Sequence, residues 1–156
     1  TSFFHEKDDL IDIFSLRKLI EPEIAQLASE NGTAEEVNEL GKTLQEQEKV
    51  VANGEFPIQT DTNFHHLLAR MAKNKVLERL LLTLFDLLSK TRETYLQSEE
   101  RKQKSLRGHH NILAAIKSGK GRAARQAMRR HLEEVESILF KKKKGGGRGH
   151  SGKVFK

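Results

Sequence analysis

Asp61 and His65 lie four residues apart in the stretch QTDTNFHHLLARMAKN, where a helix would place both on its apolar side. Ile58, Asp61, His65, Leu68 and Ala72 recur at steps of three and four, which trace one stripe along a helix. Two later segments repeat the pattern: Leu106, His109, Leu113 and Ile116 form one stripe, and Ala124, Met128, His131, Val135 and Ile138 another. Each stripe is interrupted by a residue able to ligate a metal. One carboxylate and three imidazoles suit a divalent transition ion and leave coordination positions open for water or a ligand. The chain has no cysteine, so nitrogen and oxygen donors are all it can offer. Zinc is the leading expectation, with nickel and manganese as alternatives.

Register predicts that these residues meet. The turn between the fifth and sixth predicted helices centres near Lys120, 11 residues after His109 and 11 before His131. In an antiparallel hairpin, residues equidistant from the turn stand at the same height, because each advances about 1.5 Å. His109 and His131 should face each other, and Asp61 with His65 complete the set if the third helix packs alongside. A lone buried histidine is usually a hydrogen-bonded core residue. Three in register, with an Asp one turn from one of them, point instead to a shared ion that removes the cost of burying them. His66 and His110, turned about 100° from their neighbours, are expected to be bystanders. Spacing alone does not separate His110 from His109, since His110 too is four residues from Leu106 and three from Leu113.

Arg17 interrupts a fourth stripe, that of Ile13, Ile20, Ile24 and Leu27. An ion pair with Glu21, one turn on, would account for it. So would a guanidinium aimed at a bound carboxylate, which its fork geometry suits.

The elements that must position these groups are helices. Two prolines, one tyrosine, no tryptophan and long runs of Leu, Glu, Lys, Arg, Gln and Ala predict an all-α fold, an antiparallel bundle of about six helices with short connections. The first helix, about 8–30, should kink or restart at Pro22. NGTAEE then supplies a stop at Gly32 and a start at Thr33, with Glu36 completing a capping box. The second helix runs to about residue 52, the third covers about 57–73, and the fourth begins near Lys75. Leucines on nearly every face of VLERLLLTLFDLLSKTRETYL place the fourth centrally, with a second subunit as a further cover. The fifth and sixth cover about 99–117 and 121–140.

A chain of 156 residues supports one core. The net charge of +6 is concentrated in KKKKGGGRGHSGKVFK, which holds 7 of the 28 Lys+Arg and none of the 22 Asp+Glu. Residues 1–140, the expected helical domain, are thus close to neutral. Residues 141–156 read as a basic, disordered Gly/Lys-rich tail. Within it, GRGHSGKV nearly spells a phosphate-binding loop, but Val154 replaces the Ser or Thr that would reach magnesium, and no strand precedes it. No apolar run approaches the roughly 20 residues of a membrane span, and the first residues lack signal-peptide character. A soluble, cytoplasmic protein without membrane contact is expected.

Taken in order, SLRKLIEPEIAQLASENGT, DTNFHHLLARMAKNKVLERLL and GHHNILAAIKSGKGRAARQAMRRHLEEV resemble the FCD effector-binding domain of the FadR subfamily of GntR-type bacterial transcription regulators. The resemblance covers about residues 8–140. It implies an all-helical bundle that binds a small metabolite, commonly a carboxylate, and forms a homodimer. In the metal-containing branch of that family an Asp and three His hold the ion beneath the effector. Asp61, His65, His109 and His131 match those positions, and Arg17 matches a ligand-contacting arginine shortly before Glu-Pro. The family's DNA-binding winged helix has no counterpart in this sequence, so DNA contact is expected only through such a domain. Gly108 stands where many relatives carry an acidic residue.

The expected function is therefore a metal-assisted, carboxylate-sensing domain of a transcription regulator, with no catalytic residues. A helical metal-dependent hydrolase using the same ion to activate water is the alternative. A purely structural ion closing the bundle is a third.

Overall fold

The protein is described by a computed structural model covering residues 3–90 and 97–141. The described residues form six helices and no strand: α1 (Phe3–Asn31), α2 (Ala34–Ala52), α3 (Ile58–Met71), α4 (Lys75–Lys90), α5 (Glu99–Lys117) and α6 (Gly121–Lys141). Residues 142–156, most of the expected tail, lie outside the described residues. None of these helices is long and apolar enough to cross a membrane.

Local chemistry sets most boundaries. Thr33 Oγ1 accepts from the Glu36 amide at 3.1 Å, and Glu36 Oε1 accepts from the Thr33 amide at 3.0 Å, which closes the expected capping box. Asn74 Oδ1 accepts from the amides of Val76 and Leu77, each at 3.1 Å, and so starts α4. Ser98 does the same for α5 through the Arg101 amide.

Two expectations are refined. Of the two outcomes expected at Pro22, a restart does not occur: helix α1 runs on through it, although an interior proline removes one backbone bond and costs about 3 kcal/mol. The apolar stripe continues on both sides of it, through Leu10, Ile13 and Phe14 to Ile24, Ala25 and Ala28, all buried. This stripe packs chiefly on α6, and also on α3, α4 and α5, so tertiary packing outweighs the local signal. Helix α4 is peripheral rather than central. It packs on α1 and α3 through Leu81, Leu84, Phe85 and Leu88, while Val76, Leu80 and Leu87 remain 75%, 38% and 45% exposed.

The core is formed by Phe14, Phe64, Leu68, Met71, Leu81, Ile112, Met128 and Leu132, each fully buried and each contributing about 1.5–3 kcal/mol of transfer free energy. The α5–α6 hairpin crosses it. Its turn is a two-bond helix stop in which the Gly119 amide donates to Ile116 O at 3.0 Å and the Lys120 amide to Ala115 O at 3.2 Å. Gly119 adopts φ +67°, a conformation that costs a side-chain-bearing residue about 1–2 kcal/mol. This turn fixes which residue of α5 meets which residue of α6. Gly119→Ala should lower stability by about 1 kcal/mol in urea denaturation; an unchanged midpoint would show that the turn does not need its left-handed residue.

Candidate metal centre

The hairpin brings His109 and His131 face to face, with ring centroids 4.7 Å apart. Helix α3 packs beside them through contacts with α1, α2 and α4, and its His65 ring lies 5.0 Å from His109 and 5.6 Å from His131. All three imidazoles are buried, and their donor atoms lie within 4.8 Å of one another, an arrangement that could hold a metal ion. The Nε2 atoms of His65 and His109 are 3.1 Å apart. Asp61 Oδ1 lies 3.2 Å from His109 Nε2 and 3.5 Å from His65 Nε2. The four residues singled out by spacing are thus neighbours in space. Their stripe mate Ile58 is 37% exposed, so the apolar face of α3 begins only after its first turn.

These distances can be set against a coordination sphere. Donors about 2.0–2.2 Å from one ion stand about 2.8–3.6 Å from their neighbours in tetrahedral or octahedral geometry. The Asp61–His65–His109 triangle falls within that range on all three edges. Asp61 Oδ1 makes no well-directed hydrogen bond despite its proximity to two imidazoles, and His131 Nδ1 is buried without a partner. A cation-sized point among the rings would satisfy the first. The donor set therefore fits a divalent ion.

Hydrogen bonds behind the rings fix how they turn. His109 Nδ1 donates to Gln47 Oε1 at 2.7 Å, which leaves Nε2 as the lone-pair nitrogen facing the cluster. His65 Nδ1 donates to Glu21 Oε1, and Glu21 Oε2 accepts from Arg17 Nε at 2.5 Å. Phe64 stacks flat on His109 with centroids 4.1 Å apart, and Phe85 lies 5.3 Å from His65. The Arg17 guanidinium sits over Phe14 and Phe85.

Protonation follows from this packing. Burial lowers the pKa of His109 against the opposing pull of Asp61, and lowers that of His131 much further, helped by the neighbouring rings. Burial would also neutralise His65, but Glu21 and Asp61 prevail and raise its pKa. Burial opposes ionisation of Glu21, yet Arg17 and His65 hold its pKa at about 2; Asp61 is held well below its usual range against burial by His109 and His65. The environment thus favours neutral His109 and His131 and an ionised Asp61, the states that metal ligation requires, whereas it favours a proton on His65 that an ion would have to displace.

The remaining residues resolve as follows. His110 is exposed and pairs with Glu48, whereas His109 is fully buried, so the hairpin register decides what spacing left open. His66 lies edge-on to the ring of Phe85 and outside the His65–His109–His131 group. Arg17 is buried and forms the ion pair with Glu21 that spacing offered. Spacing did not single out Gln47, and gave Glu21 no link to His65. Both occupy buried stripes, Gln47 after Leu40 and Leu44, and Glu21 between Arg17 and Ile24. Polar breaks in an apolar stripe are the same signal that marks the histidines.

Gly108 is explained by its neighbour. A Cβ there would lie 2.9 Å from His131 Cγ and 3.1 Å from its Cβ, inside the space the ring occupies. Gly108→Ala gains about 1 kcal/mol of helix propensity but overpacks a buried ring at about 1–3 kcal/mol. A net fall in melting temperature is expected, and a rise would show that His131 can move aside freely.

Residues 12–134 match the FCD domain family. The HTH-type transcriptional regulator LutR of Bacillus subtilis is 31% identical over 139 residues, covering 86% of this chain and 64% of LutR. The Uxu operon regulator of Haemophilus influenzae is 29% identical over 150 residues, covering 89% and 56% respectively. The chain thus spans less than two thirds of the length of these relatives. Among solved structures, Streptococcus agalactiae GntR aligns with a TM-score of 0.74 at 29% identity over 81% of this chain and 57% of its own. The E. coli protein McbR/YncC aligns at 0.76 and 19% identity, over 86% and 65%, a likeness of fold alone. With its six-helix bundle, this chain belongs to the FCD domain family, the effector-binding domain of GntR-type transcription regulators.

Proposed function

We propose that this domain senses a small carboxylate metabolite over a divalent metal ion, zinc foremost, held by Asp61, His65, His109 and His131. The observation that carries this reading is the approach of the two Nε2 atoms to 3.1 Å beside Asp61, with the buried ring of His131 against them. A bound zinc would supply positive charge and open positions for an anionic oxygen. Three of the four residues are closed to solvent, while the Asp61 side chain keeps 20% exposure and is the part of the cluster that borders solvent. Arg17 engages Glu21 through Nε, so the two terminal nitrogens of its fork lie outside that pair and are suited to a carboxylate.

Two observations bear on the domain's role. LutR and the Uxu operon regulator are named as regulators, which supports a sensing role, and the description of LutR as HTH-type supports DNA contact through a helix-turn-helix domain. The exposed stripe of Val76, Leu80 and Leu87 on α4 supports a homodimer formed through that face. A hydrolase would need a general base poised near neutral pH. Glu21, the further carboxylate at the cluster, is committed to Arg17 and His65 with a pKa of about 2.

Metal analysis should find one ion per chain, with His109→Ala and His131→Ala reduced to substoichiometric occupancy; full occupancy in both variants would remove these residues from the site. In thermal-shift assays on zinc-loaded protein, a carboxylate at a hundred times its Kd should stabilise by about 2.7 kcal/mol without being turned over. Arg17→Ala should abolish the shift, and repeated turnover of the ligand would instead support the hydrolase. Leu87→Glu should convert a dimer to a monomer in light scattering, and an unchanged mass would move the interface elsewhere.

A further inference from the structure

We infer that Glu21 is a shared positioning residue, one buried carboxylate that orients both the imidazole of His65 and the guanidinium of Arg17. This rests on the metal site proposed above. Glu21 is 1% exposed, and each of its oxygens is used by a different partner: Oε1 accepts from His65 Nδ1 and Oε2 from Arg17 Nε at 2.5 Å. Phe85 touches the two groups that Glu21 joins, lying 5.3 Å from the His65 ring and 4.8 Å from the Arg17 guanidinium carbon. The three side chains form a packed unit in which neither partner can turn without breaking a bond to the same carboxylate.

The consequences for His65 and Arg17 follow from bond counting. A carboxylate that accepts the Nδ1 proton fixes the tautomer with Nε2 toward the cluster and makes that nitrogen a stronger donor to a metal, an effect of about 10–100-fold in affinity. His109 receives the same service from Gln47, a neutral amide that carries no charge to share. Only the His65 side thus transmits the state of a cation, Arg17, to the metal. Because His65 and Arg17 face different oxygens of Glu21, an amide in its place turns its NH2, which cannot accept, toward one of them and loses that bond. In this arrangement Arg17 acts on the metal through Glu21 as well as on an anion directly.

The test is a double-mutant cycle on zinc affinity, using the metal alone, measured by chelator competition for wild type, Glu21→Gln, Arg17→Gln and the double variant. Cobalt absorption spectra would report the ligand field at His65. Glu21→Gln is expected to weaken zinc binding by about 10–100-fold and to alter the cobalt spectrum. Arg17→Gln should change zinc affinity in the wild-type background and leave it unchanged once Glu21 is Gln. Zinc affinity and cobalt spectrum within twofold of wild type in Glu21→Gln, or an equal effect of Arg17→Gln in both backgrounds, overturns the role of Glu21 while leaving the metal site standing. Absence of zinc binding by the wild type overturns both. Circular dichroism of the metal-free proteins checks folding, and if Glu21→Gln does not fold, Glu21→Asp, shorter by one methylene, carries the same criterion.

Discussion

Six ionisable side chains share one small volume inside an apolar core, and none can be charged or neutral independently of the rest. Removing an ion from water is costly unless opposite charge and hydrogen bonds replace the lost solvation. Burial therefore drives His109 and His131 toward the neutral form, while Glu21 and Asp61 stay ionised only because Arg17, His65 and His109 face them. The bundle is arranged around this balance. Helices α1, α3, α5 and α6 each contribute a polar interruption at one level, α2 adds Gln47 behind His109, and Phe64 and Phe85 fill the space between rings. The turn at Gly119 fixes the level for two of these helices at once.

Much of this is legible in the sequence because helices convert spacing directly into direction. Asp61 and His65 share a stripe by their four-residue step, and the symmetry of His109 and His131 about Lys120 needs only a hairpin to become a contact. The capping box at Thr33 and the stops at either end of α5 are likewise local, since the groups that bond are three to five residues apart. Where an outcome depends on packing between distant segments, spacing falls short. Pro22 signals a kink or a restart, and α1 does not restart, because the buried stripe on either side of it is held by four other helices. Leucines on nearly every face of α4 resemble a central helix, yet among the described residues it packs chiefly on α1 and α3, and its outer leucines are exposed.

Glu21 shows the same limit within the site. A glutamate one turn from an arginine has a sufficient local explanation, and the ion pair with Arg17 is indeed present. Its second bond, to a histidine 44 residues away, exists only because α1 crosses α3 at that height. Gln47 is similar, at 62 residues from His109. Ligand-type residues announce themselves by chemistry, whereas the residues that orient them are ordinary polar side chains whose meaning is positional. A polar residue on a buried stripe is the one sign that both kinds share.

Charge balance also gives the proposed effector its sign. With His65 protonated, as Glu21 and Asp61 favour, Arg17 and His65 offset those two carboxylates and the cluster without an ion is close to neutral. A divalent ion in place of that single proton leaves one positive charge in excess. In a site closed by Phe64, Phe85 and Phe14, a unit charge at 4 Å is attracted by about 4 kcal/mol at an effective dielectric of 20, against about 1 kcal/mol in bulk water. One anionic oxygen cancels the excess and a neutral ligand does not. The same accounting disfavours a second cation and gives Arg17 its place in the proposal: a monocarboxylate would neutralise the ion, and a ligand with further negative charge would meet the guanidinium that Glu21 holds.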